Sequence, residues 1–98
     1  MSKKITQQAV SALYGKYKFK KDNTEVFMNS SGWWCMELHG NCIVKITSVE
    51  LNINHQGHLT NTTKERLNGL PNVHIKQIKG IWYLNGSKMK EGWNVLRI

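Results

Sequence analysis

Apolar residues recur at three- and four-residue spacing near the start of the chain, where Ile5, Ala9, Ala12, Leu13 and Tyr17 fall on one helical stripe. The spacing predicts an amphipathic helix from Ser2 to about Tyr17, capped by Ser2 and weakened in its last turn by Gly15. From Lys16 to Lys21 basic and aromatic residues alternate, so an extended backbone there would turn Tyr17 and Phe19 one way and the lysines the other. Asp22-Asn23 reads as a turn, Thr24 to Met28 as a short strand, and Asn29-Ser30-Ser31-Gly32 as a break. A strand from Trp33 to His39 follows, with Trp33 and Trp34 on opposite faces. Gly40-Asn41 reads as a two-residue hairpin turn into Cys42 to Thr47. Val44 and Ile46 share a face while Val49, Leu51 and Ile53 are out of phase with them, which predicts a bulge or bend near Thr47-Ser48 in a strand that continues to about Asn54.

After a loop at His55-Gln56-Gly57-His58, Thr62 followed by Glu65 fits a capping box, and Asn68-Gly69 with Pro71 stops a helix of barely two turns. So short a helix needs Leu67 and Leu70 packed on a sheet. The remainder reads as strands from Val73 to Ile78, Ile81 to Leu84 and Trp93 to Ile98, with turns at Lys79-Gly80 and Asn85-Gly86. The fold class expected is α+β: an antiparallel sheet of about five to six strands, an N-terminal amphipathic helix and a short second helix. A chain of 98 residues holds one core, so a single domain spans 1–98.

Several of these segments resemble a family of small proteins carried by phages and prophages. The resemblance rests on Ala9 to Leu13, Asn23-Thr24-Glu25-Val26, Leu38-His39-Gly40-Asn41, Thr62-Thr63-Lys64-Glu65-Arg66-Leu67-Asn68 and Trp82-Tyr83-Leu84-Asn85-Gly86, in that order over most of the chain. The chain departs at Gly57-His58, where relatives tend to carry Gly-Trp. The resemblance implies a phage accessory gene and supplies no catalytic residues.

Charge adds what pattern cannot. Lysine and arginine number 14 against 6 acidic residues, giving +8 and an isoelectric point near 9.7. Residues 1–21 hold Lys3, Lys4, Lys16, Lys18, Lys20 and Lys21 and no acid, while the rest of the chain is close to neutral. A one-sided field attracts polyanions and acidic protein surfaces. Lysine supplies point-charge contact with phosphate and not the bidentate base reading of arginine, which favours binding without sequence preference. The two cysteines are too few for a disulfide framework. Met1-Ser2-Lys3-Lys4 opens no apolar leader and no membrane-length run follows, so the expected location is the cytoplasm of the host bacterial cell, with no membrane partner.

Candidate chemistry is thin. A two-residue turn at Gly40-Asn41 would place His39 across from Cys42 with Glu37 on the same face, the makings of a thiolate nucleophile, base and orienting acid. The same register sets Cys35 across from Ile46, on the order of 13 Å from Cys42 and too far for a bridge. Neither C-x-x-C nor H-x-x-x-H spacing is present, and Asp22 is the sole aspartate, which argues against structural zinc and two-metal phosphoryl transfer. No cofactor, metal or enzymatic activity is expected.

The leading expectation is a small basic accessory protein that binds DNA or RNA non-specifically through Lys3, Lys4, Lys16, Tyr17, Lys18, Phe19, Lys20 and Lys21. Arg66 could join them at the N-terminus of the second helix, or pair internally with Glu65, Glu50 or a carbonyl. The alternative is a non-enzymatic inhibitor or decoy, of the anti-CRISPR or anti-restriction kind, that docks on an acidic host protein surface of a defence or nucleic-acid-processing protein.

Overall fold

The N-terminal stripe becomes helix α1, Lys4–Gly15, in the computed structural model of the chain, which describes residues 3–97. Ala9, Ala12 and Leu13 are fully enclosed, as the stripe requires. Lys3 occupies the N-cap position without a side-chain cap, and the expected cap, Ser2, lies outside the described residues, as does Ile98 at the other end. The helix stops on a left-handed Lys16, whose backbone N–H returns to the Ala12 carbonyl.

The strands are β1 (Phe19–Lys21), β2 (Thr24–Met28), β3 (Trp34–Leu38), β4 (Asn41–Ile46), β5 (Glu50–Ile53), β6 (Ile75–Ile78), β7 (Ile81–Leu84), β8 (Ser87–Lys88) and β9 (Asn94–Arg97), with helix α2 (Asn61–Asn68) between β5 and β6. Six of them form an antiparallel sheet in the order β1-β2-β3-β4-β5-β9, and β6-β7-β8 form a separate three-stranded sheet. The class is therefore α+β. Helix α1 packs on β1 to β3, and α2 packs on β4 and β6. Val26, Met36, Leu38, Val44, Ile46, Leu51 and Ile53 face this side and join Leu13, Leu67, Val73, Trp82 and Leu84 in one core. Burial of a side chain such as Leu13, Met36 or Leu67 contributes roughly 1.5–3 kcal/mol before chain entropy is subtracted.

Three local expectations need correction. The β3–β4 turn lies one residue earlier than predicted: Leu38 pairs with Asn41, and His39 and Gly40 take φ of 52° and 79°. Both central residues of such a turn need positive φ, which histidine tolerates better than most side chains. Asn41 steadies it from outside, donating from Nδ2 to the His39 carbonyl at 3.3 Å. The register then shifts, because Met36 pairs with Val44 but Glu37 with Cys42, leaving Ile43 as the extra, buried residue.

The expected bend at Thr47-Ser48 is present, but it is a full reversal, so the strand predicted to continue to Asn54 is instead two strands. Thr47 Oγ1 accepts from the N–H groups of Val49 and Glu50 at 3.4 and 3.2 Å, and this local capture reverses the chain so that Leu51 pairs back onto Ile46. The second helix is capped by Thr60, whose Oγ1 accepts from the Thr63 N–H at 3.2 Å, and not by a Thr62–Glu65 box. Asn68 then ties α2 to β6 through both of its amide atoms, accepting from the Ile75 N–H at 2.6 Å and donating to its carbonyl at 3.2 Å.

Candidate nucleic-acid interface

The lysine-rich segment leaves α1 and becomes the edge strand β1. Lys3, Lys4, Lys16, Lys18, Lys20 and Lys21 are all exposed, and among the described residues none of their ammonium groups enters an ion pair. Tyr17 is 51% exposed and its ring lies against Gly15, where an added Cβ would come within 2.8 Å of Cε2. The aromatic-and-basic alternation is therefore broken: Tyr17 precedes the strand, and Phe19 pairs with Val26 and packs against the core. Phe19 is a correction to the expected contact set. Its partner Val26 faces inward, and the apolar ring follows. Lys20 pairs with Glu25 and shares a shallow depression with Asp22, Glu25 and Glu37, so carboxylates counter its field.

Arg66 is the larger correction. It is 4% exposed, and it spans α1, β2 and α2 from within. Its Nη1 donates to Thr6 Oγ1 at 2.8 Å and to Glu65, and its Nε donates to Thr24 Oγ1 at 3.1 Å. Glu65 also accepts from Thr6 and from the backbone N–H of Lys3. Burial alone would raise the Glu65 carboxyl, but these donors and the guanidinium outweigh it and hold the group below its ordinary value. Of the two readings of Arg66, pairing with Glu65 is the one realised. The guanidinium is consumed by the fold and does not reach a phosphate.

The hairpin with the candidate thiol is arranged differently from the expectation. His39 sits in the turn, and Glu37 is the residue across from Cys42. The extra residue Ile43 draws Cys42 toward Cys35, which faces Lys45 and not Ile46; both thiols are free. Burial, the adjacent Cys35 thiol and Glu37 push Cys42 up to about 12. Such a thiol is protonated at neutral pH and is a poor nucleophile. Among the described residues no three of His, Cys, Asp and Glu are placed to hold a metal ion together.

Trp33 and Trp34 do part to opposite sides. Trp34 packs against the core, whereas Trp33 meets Lys45 on the face away from the helices. There Lys45 Nζ lies 5.3 Å from the Trp33 ring centroid and 4.1 Å from that of Trp93. Sequence reasoning missed a second group of cations. Lys76, Lys79, Lys88 and Lys90 are exposed on or beside the three-stranded sheet, and no acidic residue occurs from 71 to 90. That gap in the acids was readable, but counting residues 22–98 as one neutral block averaged it away.

A family model described as Kyanoviridae Gp96 protein matches residues 2–95. No curated protein and no solved structure matches the chain.

Proposed function

Because the chain belongs to the Kyanoviridae Gp96 protein family, a phage family, we propose that it is a non-enzymatic accessory protein that binds nucleic acid in the infected cell without sequence preference. The observation that carries this reading is the run of exposed lysines Lys16, Lys18 and Lys21 beside Lys20, with no ion pair among the described residues to absorb their charge. Charges placed this way release condensed counterions when phosphate replaces solvent ions, which gives affinity without base recognition. Tyr17 stands exposed in the same run and offers a ring for an unpaired base. Among the described residues no helix is long and apolar enough to cross a membrane.

A salt titration tests it. Affinity for unrelated DNA and RNA should fall steeply between 50 and 200 mM salt, by orders of magnitude if six or more phosphates are met. Replacing Lys16, Lys18, Lys20 and Lys21 together by Gln should weaken all sequences by a similar factor and flatten the salt dependence. Absence of binding at low salt, combined with inhibition of a host nuclease or restriction enzyme, would move the protein to the inhibitor reading.

A further inference from the structure

The three-stranded sheet has one buried and one open face. Ile75, Trp82, Leu84 and Met89 point into the core. By alternation, Lys76, Ile78, Ile81, Tyr83 and Lys88 stand on the other side. The register makes that side specific. Lys76 pairs with Tyr83 and Tyr83 with Lys88, so the three lie in one row across the strands; Ile78 pairs with Ile81 in the row nearer the hairpin tip.

Both isoleucines are open to solvent, at 54% and 41%, and Lys79 occupies the turn beyond them. Lys76 and Lys88 are two strand spacings apart, about 10 Å, on either side of a half-buried phenol ring. The strands and turns from Ile75 to Lys88 contain no carboxylate. The contrast with Lys64 is direct. On the inner side its ammonium donates to Gln77 Oε1 at 3.0 Å and lies 5.8 Å from the Trp82 ring centroid, so its charge is engaged within the fold. Lys76 and Lys88 have no such partner among the described residues.

We propose that this face is a second nucleic-acid contact, selective for single strands, in which an unpaired base stacks on Tyr83 while Lys76 and Lys88 meet the phosphates on either side. The inference rests on the nucleic-acid reading above and adds a site and a strand preference to it. Charge complementarity identifies the occupant: two unmatched ammonium groups frame an aromatic ring, so the ligand must offer negative charge on both sides of a flat apolar surface. A single strand offers that repeat, whereas in a duplex the base faces are already stacked on one another. The exposed Ile78–Ile81 pair lies next along the face and would receive the neighbouring base. Lysine without arginine again implies little sequence preference.

The test compares fluorescent oligothymidine with a duplex of equal length, at low salt, for the wild-type chain, Tyr83→Ala, Tyr83→Phe, the pair Lys76→Gln and Lys88→Gln, and the fourfold Gln variant at Lys16, Lys18, Lys20 and Lys21. Wild type should prefer the single strand. Tyr83→Ala should lose about fivefold or more of single-strand affinity and leave duplex affinity within about twofold of wild type. Tyr83→Phe keeps the ring and should bind like wild type, which separates stacking from misfolding. The double lysine variant should reduce the salt slope for single strands by about 1.4. If Tyr83→Ala and the double lysine variant both bind as wild type while the fourfold variant weakens, this face is not a contact and the N-terminal reading stands. If neither oligothymidine nor duplex binds wild type at low salt, both readings fall. If Tyr83→Ala and the double lysine variant weaken while the fourfold variant does not, the face stands and the N-terminal segment is excluded.

Discussion

The two sheets turn outward faces of opposite electrostatic character to solvent. On the outward face of the six-stranded sheet the cations have neighbours to answer them: Lys20 stands across from Glu25 and Arg97 across from Glu50, without closing to an ion pair, and Lys45 lies against the indoles of Trp33 and Trp93. On the three-stranded sheet Lys76 and Lys88 flank Tyr83 with no carboxylate on the same strands. The first face resembles a finished surface, whose charges hold side chains in place. The second carries lysines with no counter-charge on their own strands. A total of +8 says nothing about this division, because Arg66 contributes as much to the total as Lys88 yet is enclosed by its own helix, α1 and β2. Where a charge ends up decides whether it serves stability or binding.

The sharpest test of the matched class is Arg66→Ala. It leaves Thr6 and Thr24 without their donor in the interior and the half-buried Glu65 without its cation, and losing hydrogen bonds to a buried charged group costs about 2–3 kcal/mol. Urea denaturation should show that loss, with oligothymidine affinity unchanged under conditions where the variant remains folded. A loss below about 1 kcal/mol would mean that the guanidinium is not structural.

Acid should find the same cluster next. Glu65 is held below its ordinary value in the fold, so its contribution is complete above pH 4.5, the reference for the unfolded chain, and is lost as the pH falls through the folded value. Melting temperature should therefore drop on acidification below about 4.5, and by less in Arg66→Ala. Equal drops in both proteins would detach the effect from this pair.

Smaller still is Lys45→Ala, which removes a cation from two indole rings and should cost about 1 kcal/mol by thermal or urea unfolding. The corresponding change on the other face, Lys88→Ala, should stay within about 0.5 kcal/mol, because it ends no contact within the fold. If Lys88→Ala destabilised as much as Lys45→Ala, the distinction between matched and unmatched faces would collapse.

Much of this architecture was legible from pattern. Ala9, Ala12 and Leu13 announced α1, the Asn85-Gly86 turn was visible as a dipeptide, and the phase break between Ile46 and Val49 marked a disruption in the chain. The errors share one origin, in groups that meet only after folding. Thr47 reverses the chain through its hydroxyl, and His39 accepts a positive φ because Leu38 and Asn41 close the ladder beside it. Arg66 is buried by Thr6 and Thr24, which lie 60 and 42 positions away. The row of Lys76, Tyr83 and Lys88 likewise exists only through a register. Its charge was available in the sequence as a stretch without acids, but its geometry was not.

Whether a polyanion meets the lysines the fold leaves unmatched is tested most directly by backbone amide shift mapping with 15N-labelled protein and oligothymidine at low salt. Perturbations should gather on residues 76–90 and 16–21 and spare Trp33, Lys45, Trp93 and Arg97. Shifts concentrated on the six-stranded face, or none at all, would contradict it.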